Sequence, residues 1–285
     1  MSTLSIPASR ESGVKAFINR HPLLSMYLLM FALAWSVMIP QVLYTQGILP
    51  NPLPGFLAIL TGWAPGIAAI VVSAVMAGRA GVRDLLSRFL IWRVGVQWYL
   101  TGLFLLAFLI LGGIGLHIAF GGEMPHIPTA GAPAWEIALT FVLLVLVGFL
   151  INTEEVAWRG FALPRLQVRY GALLAAFLIT IPEVLLHVPM YWIEDSFIRT
   201  VGVGWFSAFS VAAVIIYIYV FNRTRGSLLI VTLLHASQNA WSNLLSDNSP
   251  RPFYFTVLLI WVIALLLIAF TRGRLGSPAD PSRVE

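Results

Sequence analysis

The sequence predicts an all-α polytopic membrane protein of about eight transmembrane helices with one interfacial amphipathic helix. Three observations carry this. The 285 residues are 59% hydrophobic and only 10% charged, with a mean hydropathy of +0.88, whereas a soluble domain carries about 25% charged residues. Apolar runs near the roughly 20 residues that cross a bilayer recur along the whole chain. The basic residues fall mainly in alternate connections between those runs.

In chain order the expected spans are 24–44, 56–77, 97–120, 134–158, 172–190, 201–221, 227–245 and 253–270. The first follows Arg10, Lys15 and Arg20 and contains Ala32-Leu33-Ala34, which resembles the end of a signal peptide. That triplet lies in mid-run, and apolar residues continue to Ile39, so the run is expected to remain as a spanning helix. Between the second and third spans, Leu85, Leu86, Phe89, Leu90 and Trp92 share much of one helical face. Arg83, Asp84, Arg88 and Arg93 lie mostly elsewhere, the pattern of a helix lying in the membrane interface.

With eight spans both termini share one side, which receives fifteen of the 17 basic residues, Arg159 among them. Arg199 and Arg251 fall on the other. Cytoplasmic loops are enriched in Lys and Arg, so both termini are expected in the cytoplasm, with the protein in the plasma membrane of a prokaryote. The same asymmetry accounts for the net charge of +5 without a nucleic-acid partner; the partners expected instead are membrane lipid and a peptide or protein. No cysteine is present, which excludes disulfides and thiolate metal sites. The expected organisation is a cytoplasmic segment 1–22, one transmembrane domain 23–270 with a core at about 134–245, and a cytoplasmic tail 271–285.

Three apolar segments carry protonatable groups, which are expensive in a membrane and mark functional sites. The first holds Glu154, Glu155 and Arg159; the second Glu183 and His187; the third His235 and Asn239. Glu155 and Arg159 are four apart and can pair on one helical face. Glu154 lies about 100° round the helix from Glu155 and can meet a different neighbour. A structural ion pair is the plainer reading of Glu155–Arg159, because buried ions are normally paired. A lone histidine can simply join two helices, and proton-coupled transport would use the same groups. Transport is disfavoured because no inverted repeat is evident. His21, His117 and His126 receive no role.

A turn near Tyr170-Gly171 places Glu154 and His187 each about 16 residues, or ~24 Å, from it. An antiparallel hairpin would then bring them level. Pro164 is expected to kink or end the descending arm. His235, roughly 14 Å into its helix, joins them only if the hairpin projects about 10 Å below the membrane. The site would then lie in the cytoplasmic half.

Glu154-Glu155-Val156-Ala157-Trp158-Arg159, then His187, then His235-Ala236-Ser237-Gln238-Asn239 resemble, in order and spacing, the motifs of the CPBP family of intramembrane CAAX-type prenyl proteases and bacteriocin-processing or immunity-associated relatives. The resemblance covers about 134–245, and the stretch from Trp63 to Trp98 is also similar. It implies an intramembrane endopeptidase whose substrate arrives from the bilayer or the cytoplasmic side. Glu154 would activate a water, His187 would orient it, His235 and Asn239 would donate to the oxyanion, and Glu155 and Arg159 would support them. Two histidines and a glutamate would also suit zinc, but HExxH is absent and the resemblance implies a glutamate-dependent enzyme, so no metal ligand or cofactor is assigned. Glu183 stands where the family has an aromatic residue. A carboxylate one turn from His187 is expected to raise that histidine's basicity or to alter substrate fit. It leaves open a catalytically altered member that acts as a membrane binding or immunity protein.

Overall fold

A computed structural model describes residues 13–277 apart from 195 and 248; the outermost parts of the expected terminal segments, 1–12 and 278–285, lie outside the described residues. The α-helices are α1 (Gly13–Arg20), α2 (Pro22–Thr45), α3 (Ala58–Ser87), α4 (Val96–Ala119), α5 (Ala134–Ile151), α6 (Leu163–Tyr170), α7 (Ala172–His187), α8 (Phe197–Val201), α9 (Val203–Arg223), α10 (Leu228–Leu245) and α11 (Pro250–Thr271). No strand occurs among the described residues. Seven of these helices are long and apolar enough to cross a membrane. The remaining expected span, 227–245, corresponds to α10, which crosses between the same ends but is more polar. His235, Gln238, Asn239, Ser242 and Asn243 recur on it at i, i+3, i+4, i+7 and i+8, which is one helical face. The protein is a polytopic all-α membrane protein.

The helices run up and down between two ends. At the arginine-rich end, Ser227 Oγ donates to the Ile91 carbonyl and Asn222 Nδ2 to that of Leu275, and the Arg225 guanidinium donates to the Arg93 carbonyl. At the opposite end, Gln46 Nε2 reaches the Trp192 carbonyl and Thr129 Oγ1 that of Leu244. The first expected span is continuous across Ala32-Leu33-Ala34. α2 packs its Met26, Met30 and Ala34 against Ala64, Ala68 and Val72 of α3 within the core. Small residues allow that approach, since packing rather than water exclusion holds helices together in lipid.

Two expectations are corrected. The helix after the second span ends before the amphipathic pattern from Arg83 to Arg93 does. α3 breaks at Ala77-Gly78, where Gly78 has φ +59°, restarts, and ends in a 3₁₀ turn at Leu90. Its apolar residues do not share one environment: Leu85 is buried against the core while Leu90 and Trp92 are exposed. The fourth span does not continue to 158. α5 stops at Ile151, Asn152 is extended (ψ 106°), and a π-helical segment, Val156–Ala162, follows.

That break has a local cause. Thr153 inserts against α3: its N–H and its hydroxyl both donate to the Gly62 carbonyl, at 3.0 and 2.9 Å, while its Oγ1 accepts from the Gly66 N–H at 2.9 Å. In a regular helix the Gly66 N–H and Gly62 carbonyl would bond each other. Both positions require glycine, because a Cβ on Gly62 would lie 2.7 Å from the Ile151 oxygen and one on Gly66 2.5 Å from Thr153 Oγ1. Beyond the break, Pro164 sits in the first turn of α6, where its missing N–H costs nothing. The descending arm therefore changes from π to α at Leu163 without a straight helix. Gly171 (φ +78°) makes the expected turn into α7.

Candidate active site

The broken segment, the end of α7 and the middle of α10 meet around a cavity of about 520 Å³. Glu154, Glu155, Arg159, Glu183, His187, His235 and Asn239 all line it. The hairpin thus brings Glu154 and His187 level, and α10 delivers His235 to the same depth.

The two adjacent glutamates have separate partners. Glu155 Oε1 accepts from Arg159 Nη1 at 3.2 Å and from His235 Nδ1 at 2.9 Å, with the pair almost wholly buried. Glu154 turns the other way. Its Oε2 accepts from the indole N–H of Trp158 at 3.1 Å, and its Oε1 lies 4.0 Å from His187 Nε2. Trp158 is fully buried, so the indole fixes the carboxylate plane from below.

The hydrogen bonds assign the protons. The N–H of Glu154 donates to Asn152 Oδ1 at 3.0 Å, which leaves the Asn152 amide nitrogen facing His235 Nε2 at 3.1 Å. An amide nitrogen donates only, so Nε2 is the acceptor and the His235 proton is on Nδ1, toward Glu155. Both ring nitrogens of His235 are thereby engaged within the protein. His187 is held by its Nδ1, which donates to the Glu183 carbonyl at 2.8 Å. Its Nε2, an acceptor in the neutral ring, faces Glu154.

Glu183 differs from expectation. Its carboxylate does not pair with His187; the Oε2 lies 3.6 Å from Arg159 Nη1, and only its backbone oxygen serves the histidine. Arg159 consequently sits between two carboxylates, with its guanidinium 4.6 Å from the centre of the Tyr217 ring. It is an interior residue rather than a loop charge, which leaves, among the described residues, twelve basic residues on the arginine-rich side against two. Tyr217 in turn donates to Gln238 Oε1 at 3.1 Å.

Sequence reasoning missed Asn152, Thr153, Trp158, Tyr217 and Gln238. The polar stripe on α10 would have flagged Gln238, Ser242 and Asn243. Nothing in the spacing announced the Thr153 splice. Among the described residues no three His, Asp or Glu side chains converge as metal ligands, and both His235 nitrogens have protein partners.

The cavity does not lead to the arginine-rich end. From Glu154 it rises between α9, α10 and α11 to Phe197, Asp247 and Phe253 at the opposite end. Below the cluster, all seven residues of the π segment are buried.

Residues 133–241 match the family model of Type II CAAX prenyl endopeptidase Rce1-like proteins. The chain is also similar to CAAX prenyl protease 2 of Methanococcus maripaludis, with 24% identity over 227 residues covering 76% of this chain and 80% of the relative.

Proposed function

We propose, from the match of residues 133–241 to the Rce1-like CAAX prenyl endopeptidase model and the likeness to CAAX prenyl protease 2, that the chain is a CAAX-type intramembrane protease of the CPBP family and that its cavity hydrolyses a peptide bond of a membrane-associated polypeptide with a water activated by Glu154. The observation that carries this is the 4.0 Å gap between Glu154 Oε1 and His187 Nε2, both acceptors facing one cavity. A water within hydrogen-bonding distance of both, about 2.8 Å from each, directs one O–H at the carboxylate and the other at the imidazole. Its remaining lone pair then faces the cavity.

Glu154 takes a proton as the water oxygen attacks the substrate carbonyl carbon. The carbonyl oxygen gains the charge. Asn239, whose side chain lines the cavity, and the second N–H of Asn152 are the amide donors available to it. His235 is assigned a different part from the one the motif suggests: it locks Glu155 and Asn152 in place. Glu154 returns the proton to the departing nitrogen, the C–N bond breaks, and an acid and an amine leave. Arg159, Glu155 and Glu183 form the charged support beneath.

The test is cleavage by the purified protein in nanodiscs, with sequencing of the new ends. Glu154→Gln is expected to abolish cleavage while eluting as the folded protein does; retained cleavage overturns the reading. The mechanism uses no metal, so a chelator is expected to leave the rate unchanged. Loss of activity that zinc restores would replace the glutamate mechanism with a metal one.

A further inference from the structure

We propose that a second cavity, at the arginine-rich end of the helices, is a binding site for an anionic phosphate group, carried by a lipid headgroup or free. The cavity measures about 560 Å³ and shares no lining residue with the first.

The bend in α3 creates it. Beyond the break at Ala77-Gly78 the second arm of α3 turns back on the first, so closely that a Cβ on Gly81 would lie 2.7 Å from the Ser73 oxygen. In a straight helix residues eight apart are separated by about 12 Å along the axis. The π segment meets the same arm at Gly160, where a Cβ would lie 2.8 Å from Leu85 Cδ1. The space left between them is lined by Ala80, Asp84 and Arg88 on the α3 side and by Phe161 and Arg165 on the other. Leu85 and Phe161 are buried behind it, whereas Ala80, Asp84 and Arg165 are exposed at its mouth.

The charged lining is two arginines and one acid, so cation is in excess. Arg165 Nη1 donates to the Phe161 carbonyl at 2.7 Å, and its guanidinium lies 3.7 Å from the centre of the Phe161 ring. Arg88 Nε is buried with no hydrogen-bond partner, and its guanidinium lies 5.9 Å from the centre of the Phe221 ring. Among the described residues no carboxylate, Asp84 included, forms a salt bridge with either arginine. Burial lowers the Arg165 pKa, the Arg88 charge lowers it further, and Asp84 opposes both. Two guanidinium groups that repel each other beside one cavity are relieved by an anion between them. Their planar forks of N–H donors match the oxygens of a phosphate, and the single charge of a phosphodiester offsets the excess. Basic pockets between helices at a membrane surface suit anionic headgroups, and Leu86 and Leu90 on the same arm are exposed, which gives acyl chains an apolar surface beside the site.

The test uses the full chain purified in a neutral detergent. Dioleoyl phosphatidylglycerol, zwitterionic dioleoyl phosphatidylcholine or inorganic phosphate is added, and the unfolding temperature and, for the lipids, the adducts in native mass spectrometry are read. Phosphatidylglycerol at about ten times its Kd is expected to raise the unfolding temperature by about 3–6 °C and to be retained more tightly than phosphatidylcholine. Arg165→Gln and Arg88→Gln are each expected to weaken that retention by roughly 10–100-fold. Arg169→Gln, at the same end but outside the cavity, is expected to leave it unchanged. Ala80→Leu fills the mouth without changing the charge; it is expected to remove retention and serves should an arginine variant fail to accumulate. A rise with inorganic phosphate that Arg165→Gln removes, without lipid retention, upholds the phosphate site and identifies free phosphate as its occupant. No response to either source overturns the proposal. So do equal retention of the two lipids, unchanged retention in Ala80→Leu, and a loss in Arg169→Gln as large as in Arg165→Gln.

Discussion

Two segments bring polar groups to the same cavity by opposite means. α10 stays regular and presents a stripe at helical spacing, so its chemistry follows from its periodicity. The segment after α5 abandons α geometry: the helix stops, Asn152 and Thr153 are extended or inserted, and a π turn follows. Single π turns concentrate at functional sites because they re-aim side chains that a regular helix would stack. Here the departure sends Glu154 toward His187 and Glu155 toward His235. A regular surface suits binding along its length, whereas an irregular one places a few atoms.

That contrast can be broken experimentally. The largest effect is expected at the irregular segment, where Glu154→Gln should lower kcat by about 10²–10⁴-fold, the usual worth of a general base; turnover assays in nanodiscs decide it. Next, Arg159→Met leaves Glu155 and Glu183 facing each other without their shared cation. A destabilisation of about 3–5 kcal/mol is expected, read as a lower unfolding temperature in detergent, and an unchanged temperature would show that neither carboxylate is charged in the fold. A smaller loss follows Gly66→Ala, whose methyl would crowd Thr153. About 1–3 kcal/mol is expected, with reduced kcat, while Gly115→Ala, which meets nothing within 4 Å, should change neither. The smallest effect belongs to the regular wall. Asn243→Ala is expected to raise KM a few-fold with kcat unchanged, the ~1 kcal/mol of one hydrogen bond. A fall in kcat there would erase the distinction between the two segments.

The same contrast explains what the sequence revealed. Apolar run length was enough for seven of the eight spans, and i,i+4 spacing was enough to pair Glu155 with Arg159. Runs of apolar residues do not show where a helix stops when the partner of the freed backbone lies elsewhere. The end of α5 at Ile151 depends on Gly62 and Gly66, 91 and 87 residues before the Thr153 that bonds them. The role of Glu183 was unreadable for a related reason. Proximity to His187 in sequence suggested a side-chain pair, but the backbone oxygen met the histidine and the carboxylate met an arginine from another element. The pairing of His235 with Asn152 also joins separate helices and left no mark in local spacing.

The Thr153 splice has a consequence for how this region tolerates change in length. In a continuous helix one inserted residue rotates everything after it by about 100° and shifts it by about 1.5 Å. Here the phase of the glutamates is reset by α3, because Thr153 is bonded to Gly62 and Gly66 rather than counted from the start of α5. An insertion or deletion early in α5 changes which residues face lipid and leaves the carboxylates where they are. The lipid-facing length of that helix is thus uncoupled from the chemistry at its foot, so the protein can be refitted to a thicker or thinner bilayer without realigning the site.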